Sequence, residues 1–212
     1  LFISFEGGEG SGKTTQIRRL EEWFRHQGRD VVVTREPGGS PGAEEIRNLL
    51  LTGDPGRWDA VTEAFLMFAS RRDHVERTIR PALADGKVVL CDRFADSSVA
   101  YQGYGHGLGA EYIRNLWALA IGDFKPDLTL IFDLPIEVGL GRAGARFANV
   151  SAAEDRFERM GVEFHQRLRD GFKEISQTDA DRCRMIDANS DIDTVAERMI
   201  SAVKNGLTGQ GS

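Results

Sequence analysis

The segment GGEGSGKTT, at residues 7–15, constrains the fold of this chain more than any other feature. It fits the pattern G-x-x-x-x-G-K-[ST], in which glycines let successive backbone N–H groups turn inward toward phosphate oxygens. In this interpretation Lys13 reaches the β- and γ-phosphates, and Thr14 offers its hydroxyl to Mg²⁺. The preceding residues are strand-like, and apolar residues recur at helical spacing over residues 17–24. The alternative is an ordinary glycine-rich turn between a strand and a helix. The predicted triphosphate-binding residues are Gly7, Gly8, Glu9, Gly10, Ser11, Gly12, Lys13, Thr14 and Thr15.

Composition indicates one globular domain that handles free nucleotides. The chain has 212 residues, of which 41% are hydrophobic, so residues 1–212 are expected to form a single domain with a sizeable core. Its formal net charge of −6 argues against binding a nucleic-acid polymer, which requires a basic surface.

The same sequence predicts a cytoplasmic protein that does not enter a membrane. Cys91 and Cys183 both lie beside apolar residues, which favours reduced, packed thiols over a disulfide or a metal site. We find no apolar stretch of about 18 residues and no charged leader before an apolar segment.

Apolar runs at residues 1–6, 31–35, 87–92, 127–133 and 183–188 alternate with helical patterns. This alternation predicts an α/β fold in three layers, with a five-stranded parallel sheet flanked by helices. Because the carboxyl ends of parallel strands meet at one edge, ligands are expected there. The motifs TREPGG (34–39), DRF (92–94) and DLP (133–135) each follow or end a predicted strand.

The helical stretch from Asp59 to Asp85 carries an arginine on a predicted apolar face. Apolar residues repeat there at steps of three or four, and Arg72 falls on the same stripe, one turn after Phe68. One explanation is a structural ion pair with an acidic neighbour. The other is a site for a heterocyclic base, which stacks on the ring and accepts hydrogen bonds from the guanidinium.

The DRF motif places a carboxylate and a guanidinium at the end of a buried strand. Asp92 is the expected partner of Mg²⁺, and Arg93 is expected to grip a second phosphate, together with Arg35 of TREPGG. The alternative for each arginine is a surface salt bridge. The next loop offers Ser98, Tyr101 and Gln102 to a base or a sugar.

Residues 141–152 are predicted to form a short lid. Arg142 and Arg146 lie four positions apart, on one face of a helix if the segment is helical. The phosphate loop has no basic side chain at Gly10 or Ser11, so lid arginines are expected to neutralise transition-state charge. The alternative is a solvated basic helix end.

Taken together, GGEGSGKTT, TREPGG, the Phe68/Arg72 pair, DRF with SSVAYQG, FDLPIEVGL and the lid segment closely resemble the thymidylate kinase family of P-loop nucleoside-monophosphate kinases. The resemblance implies Mg²⁺-dependent transfer of the γ-phosphoryl group of ATP to dTMP, and a homodimer. It assigns catalysis to Lys13, Asp92, Arg93, Arg142 and Arg146, and metal binding to Thr14 and Asp92. It assigns dTMP binding to Glu9, Arg35, Phe68, Arg72, Arg93, Ser98, Tyr101 and Gln102.

Within that assignment Phe68 stacks on thymine, Arg72 and Ser98 bind its polar edge, and Tyr101 crowds the sugar 2′ position. Glu9 lies near the 3′-hydroxyl. Gly144 occupies a position where some family members carry another lid arginine, which leaves the division of labour between Arg142 and Arg146 open.

Three alternatives remain at this point. A regulatory GTPase shares the phosphate loop, but we find neither N-K-x-D nor D-x-x-G in the sequence. An inactive nucleotide-binding protein has little use for a second set of phosphate-facing arginines. A kinase for another nucleoside or deoxynucleoside monophosphate is the serious competitor, because few side chains determine the identity of the base.

Overall fold

The structure, a computed structural model, describes residues 1–52, 56–147 and 160–208. In these ranges five strands form one parallel sheet in the order β2-β3-β1-β4-β5. The strands are β1 (Phe2–Gly7), β2 (Val31–Arg35), β3 (Val88–Asp92), β4 (Leu128–Asp133) and β5 (Cys183–Asp187). The predicted fold class and all five predicted strands are confirmed, to within one residue at each end.

Helices connect the strands and cover both faces of the sheet. They are α1 (Lys13–His26), α2 (Pro41–Leu51), α3 (Ala60–His74), α4 (Arg80–Ala84), α5 (Ala95–Ser98), α6 (Ala110–Ile121), α7 (Ile136–Phe147), α8 (Val162–Thr178) and α9 (Ile192–Thr208). π-Helical segments Val75–Ile79 and Val99–Gly105 follow α3 and α5. None of the helices in the described ranges is long and apolar enough to cross a membrane.

The core has three layers. On one face α1 and α9 pack against the sheet through side chains such as Leu20 and Met199, both of which are fully buried. On the other face α3, α6 and α8 contribute Phe68, Ile113 and Phe172 to further apolar clusters. The central strands are thereby buried on both faces.

The stretch that begins at Asp59 is helical to Ala84, but it is not one regular α-helix. The Asp59 carboxylate caps α3 by accepting hydrogen bonds from the N–H groups of Val61 and Thr62, at 2.9 and 3.0 Å. A π-helical segment at Val75–Ile79 joins α3 to α4, and Pro81 lies in the first turn of α4. The N–H of Arg80 still bonds to the carbonyl oxygen of Val75, and Pro81, which has no N–H to donate, follows directly.

Both cysteines are free and buried, as predicted. Burial raises the pKa of the Cys183 thiol to about 12, with the carboxylate of Asp96 adding to the rise. A thiol with so high a pKa is a packing group and not a nucleophile.

Candidate active site

An open cavity of about 1000 Å³ lies at the carboxyl edge of the sheet. Its walls come from the loop after β1, the TREPGG loop after β2, the DRF turn after β3, and α3 with the segment after α5. Because β1 is central and pairs with both β3 and β4, its loop is held between the two neighbouring strand ends. A cavity of this size holds ligands as large as nucleotides.

The loop at residues 7–12 has the backbone of a phosphate cradle. Gly7, Gly10 and Gly12 adopt positive φ values of 127, 67 and 84°, and α1 begins at Lys13 directly beneath the loop. A Cβ on Gly7 would lie 2.4 Å from the carbonyl oxygen of Phe132, so only glycine fits there. The loop therefore presents N–H groups and the positive end of α1 to an anion.

Lys13 folds back over this loop. Its Nζ donates to the carbonyl oxygens of Gly7 and Gly8, both at 3.2 Å, and to Ser11 Oγ at 3.3 Å. Burial, followed by the nearby charge of Arg93, lowers the pKa of Lys13 to about 8. An arriving polyphosphate would supply the negative charge that restores the fully protonated ammonium.

Arg93 lines the cavity and is held in place by several hydrogen bonds. It is the one non-glycine residue with positive φ in the described ranges, at 69°. Its guanidinium donates to the carbonyl oxygen of Gly7 at 3.0 Å, to Ser97 Oγ at 3.3 Å and to Glu9 Oε1 at 2.7 Å. The hydroxyl of Tyr101 donates to the same Glu9 oxygen at 2.8 Å. The structure thus brings the three predicted site residues Glu9, Arg93 and Tyr101 into contact.

The carboxyl group of Glu6 supports this strained turn from below. Glu6 is fully buried in β1, and its Oε1 accepts the N–H of Phe94 at 2.7 Å while the other oxygen is hydrogen-bonded to Ser97 Oγ. Burial, together with the charge of Asp96, raises the pKa of Glu6 to about 8. Sequence reasoning missed this residue. The signal was a lone charge in the apolar strand FISFEG.

The buried arginine of α3 is Arg71, and the prediction for Arg72 is wrong. Arg72 leaves 55% of its side chain exposed, ion-pairs with Glu76 at 3.3 Å and donates to the carbonyl oxygen of Ala120 at 3.2 Å. Arg71 is 2% exposed and lines the cavity. Its guanidinium donates to Glu36 Oε2 at 2.7 Å and to Ser98 Oγ at 3.1 Å.

The apolar stripe predicted for this stretch is buried at Phe68, Val75 and Ile79 but not at its first two members. Val61 and Phe65, which begin that stripe, are 37% and 54% exposed. The buried face of α3 instead includes the charged residues Glu63, Arg71 and His74, which a search for apolar periodicity counts as outward-facing.

Phe68 supports the arginine and does not line the cavity. The Arg71 guanidinium lies 4.5 Å from the centre of the Phe68 ring, which is itself buried. Met67 is the cavity-lining residue of this turn. The prediction that Phe68 stacks on a base is therefore corrected: its ring holds Arg71 by a cation–π contact.

A hydrogen-bonded chain fixes the orientation of Arg71. Glu36, the acidic residue of TREPGG, accepts from Arg71 and also contacts His74 Nδ1 at 3.0 Å. His74 Nε2 in turn lies 2.7 Å from Thr34 Oγ1. With its other nitrogens engaged, Arg71 Nη1 is buried and has no hydrogen-bond partner among the described residues. A buried donor without a partner is costly, so this atom marks a place for a ligand acceptor.

The remaining predicted residues are distributed as follows. Ser98, Tyr101 and Gln102 all line the cavity, and Gln102 Nε2 donates to Glu63 Oε1 at 2.8 Å. Arg35 also lines it, but its side chain is 57% exposed and contacts Glu44 at 3.4 Å. Thr14 and Asp92 line the same cavity, on α1 and at the end of β3.

The lid lies only partly within the described residues. Arg142 is exposed on α7 and its Nη1 is 3.5 Å from the carbonyl oxygen of Ala188, in the loop after β5. The side chain of Arg146 and residues 148–159 lie outside the described part. The structure therefore covers only the first residues of the predicted lid.

Comparison with known proteins gives one consistent family. The family model described as thymidylate kinase matches residues 5–199. The chain is 56% identical to the thymidylate kinase of Caulobacter vibrioides over 207 residues, which covers 98% of this chain and 97% of the relative. It is also 56% identical to the Ruegeria pomeroyi thymidylate kinase, over 98% of this chain and 96% of the relative. The crystal structure of thymidylate kinase from Ehrlichia chaffeensis superposes with a TM-score of 0.77 at 37% identity, covering 96% of this chain and 98% of that one.

Proposed function

The chain belongs to the thymidylate kinase family, and from that premise we propose how its own residues transfer the γ-phosphoryl group of ATP to dTMP, giving dTDP and ADP. The observation that carries the proposal is the buried Nη1 of Arg71, which has no hydrogen-bond partner among the described residues. Arg71 lines the same cavity as the phosphate loop and Arg93. One cavity thereby offers a donor-only group for a base and two cationic groups for phosphates.

The donor nucleotide binds at the phosphate loop. The N–H groups of residues 8–14 and the N-terminus of α1 hold the β- and γ-phosphates of ATP, and Lys13 swings from the loop carbonyls onto them. The loop carbonyls that Lys13 contacts here are weaker partners than a charged phosphate oxygen, which favours the exchange.

The dTMP phosphate binds at Arg93, with Arg35 at the cavity mouth. Arg93 is anchored through Gly7 and Ser97, so its guanidinium has little freedom left to lose on binding. Arg35 is free to turn from Glu44, because that contact is long and exposed.

The thymine base binds against Arg71. A guanidinium has only donors, so it matches a carbonyl oxygen and rejects the exocyclic amino group that cytosine or adenine presents. Ser98 and Gln102 lie beside it, and Met67 offers an apolar surface to the ring. The hydroxyl of Tyr101, held by Glu9, supports a sugar site that crowds the 2′ position and selects deoxyribose.

Mg²⁺ fits at Thr14 and Asp92. A hydroxyl and a carboxylate are oxygen ligands of the kind this ion prefers, and both line the cavity beside the phosphate loop. When bound with ATP, the ion supplies charge neutralisation at the phosphates.

The reaction needs alignment more than acid–base chemistry. An oxygen of the dTMP phosphate attacks the γ-phosphorus, and the bond to the β,γ-bridging oxygen breaks, so that ADP leaves. The attacking oxygen is already ionised, and no general base is required. Lys13, Arg93 and Arg142 hold the phosphates in line and neutralise the negative charge of the transferring phosphoryl group in the transition state. Arg146 is proposed as the second lid cation.

Removing the lid arginine is expected to affect turnover more than binding. Arg142→Ala should lower kcat by about 100-fold and raise KM for dTMP less than about 3-fold, since a lid cation acts chiefly on the transition state. Steady-state kinetics at saturating ATP measures both. An unchanged kcat would remove Arg142 from the catalytic residues.

We also propose that residues 1–212 form one domain with a lid near residues 141–152, and that the enzyme is a cytoplasmic homodimer. The continuous sheet supports the first proposal and the free thiols fit a reducing compartment. Exposed apolar side chains on the adjacent helices α3 and α6 support a dimer: Val61, Phe65, Tyr112 and Leu119. Light scattering should give twice the chain mass of 23.5 kDa, and a single chain mass would contradict the dimer.

The substrate assignment is tested with purified enzyme, ATP and Mg²⁺. dTMP, dUMP, dCMP, dGMP and AMP are supplied separately, and ADP formation is followed. dTMP should be turned over ahead of dCMP, dGMP and AMP. Faster turnover of AMP or dCMP would overturn the base assignment while leaving the fold unaffected.

A further inference from the structure

The tip of the phosphate loop touches α7, here called the lid helix because it carries Arg142, through two glycines. A Cβ on Gly10 would lie 2.1 Å from the carbonyl oxygen of Gly139, and a Cβ on Gly139 would lie 2.7 Å from the carbonyl oxygen of Glu9. Both distances are far inside a van der Waals contact with backbone, which cannot rotate away as a flexible side chain can. The two segments therefore approach as closely as backbone allows.

The contact lies on the same side of α7 as the lid residue Arg142. Gly139 is in the first turn of α7, with Arg142 three positions later and Arg146 four beyond that. Residues at these spacings share one side of a helix. Arg142 lies about 4.5 Å farther along the axis than Gly139, at about 1.5 Å per residue. The distance between the backbone of Gly139 and the phosphate loop thus determines the position of Arg142 relative to the phosphates that the loop binds.

Neither a helix cap nor a left-handed backbone explains glycine at position 139 in the described part of the chain. Gly139 is buried, it lies inside a helix where glycine is unfavourable by about 1 kcal/mol relative to alanine, and its φ is not in the left-handed region. A Cβ on Gly141, in the same helix, would meet no described atom within 4 Å, so close approach distinguishes Gly139 from its neighbour.

We propose that Gly139, in contact with Gly10 and Glu9, is a positioning residue that sets the depth of the lid helix against the phosphate loop and so aims Arg142 at the transferring phosphoryl group. This inference rests on the proposed function, since it gives Arg142 its target. The proposal also accounts for glycine at residue 10. A side chain on residue 10 would push α7, and with it Arg142, away from the nucleotide.

The test compares Gly139→Ala with Gly141→Ala. Both substitutions improve helix propensity equally, but only the first forces α7 off the loop. Gly139→Ala should lower kcat at least 10-fold and change KM for dTMP less than 2-fold, whereas Gly141→Ala should keep both within 2-fold of the unmodified enzyme. Steady-state kinetics and thermal unfolding are measured for each variant.

A double-mutant cycle then separates positioning from general damage. If Gly139 acts through Arg142, adding Gly139→Ala to Arg142→Ala should lower kcat by less than 2-fold. A full second loss in that background would overturn the proposal, as would wild-type kcat for Gly139→Ala or the loss of its unfolding transition. An unmodified enzyme that fails to phosphorylate dTMP would contradict the proposed function itself, which keeps the two failures distinct.

Discussion

Replacing Arg71 with alanine is expected to lower kcat/KM for dTMP by about 1000-fold, whereas Arg72→Ala should change it less than about 3-fold. Truncating one partner of a buried, hydrogen-bonded charge costs about 2–5 kcal/mol, and each tenfold in kcat/KM corresponds to about 1.4 kcal/mol. Arg72 is a matched control because it is the adjacent arginine of the same helix, with its charge in solvent.

Selectivity for the base gives a sharper measurement than rate alone. If Arg71 Nη1 meets a carbonyl oxygen of thymine, its removal should reduce the preference for dTMP over dCMP to less than about 10-fold, because the donor that rejects an amino group is gone. Competition between the two substrates measures this ratio directly. A preference that survives in Arg71→Ala would contradict the base assignment.

Arg71→Ala also leaves the buried carboxylate of Glu36 without its cation, which lowers stability. Arg71→Lys serves as the second variant, since it retains a positive charge near Glu36. Lysine lacks the planar fork that contacts Glu36, Ser98 and a ligand together. We expect this variant to retain its fold and still lose at least about 30-fold in kcat/KM for dTMP.

Replacing Arg93 is expected to lower kcat by about 1000-fold and to raise KM for dTMP about 10-fold. Arg93 is proposed to grip the acceptor phosphate, so its loss removes both alignment and charge neutralisation. Arg18→Ala, which removes an exposed arginine from the wall of the same cavity, should stay within about 2-fold of the unmodified enzyme. Initial rates at varied dTMP and saturating ATP give both constants.

The left-handed backbone of Arg93 allows a second variant. Alanine at φ 69° is strained, whereas glycine adopts that conformation freely. If the guanidinium is what matters, Arg93→Gly and Arg93→Ala should lose kcat equally despite their different backbone preferences. Substantial activity in Arg93→Gly would mean that the strain of the alanine variant, and not the missing charge, caused its loss.

The sequence predicts local and strand-level features well. The phosphate loop is encoded within nine residues, and its glycines are needed for positive φ and for close approach to Phe132. The central strands β1, β3 and β4 are short apolar runs, because strands that helices cover on both faces carry few polar side chains. Both patterns can be read within a few consecutive residues, even though the contact of Gly7 with Phe132 is made across the sheet.

The position of the buried arginine was misjudged because its burial depends on partners far apart in sequence. Arg71 is buried through Glu36, and its neighbours Phe94 and Ser98 come from beyond β3. An arginine three or four positions after Phe68 fits the spacing of one helix face equally well, so periodicity could not choose between Arg71 and Arg72. A search for an acidic partner, rather than for an apolar stripe, favours Arg71, because Arg71 is the arginine that reaches Glu36 of TREPGG.

The central claim is that dTMP lies between Arg93 and Arg71, with its phosphate directed at the loop that holds ATP. A crystal structure of the enzyme with dTMP and a non-hydrolysable ATP analogue tests it most directly. The account predicts the dTMP phosphate within about 3 Å of the Arg93 guanidinium and a thymine oxygen at a similar distance from Arg71 Nη1. A thymine held by Arg72, or a dTMP phosphate remote from Arg93, would contradict it.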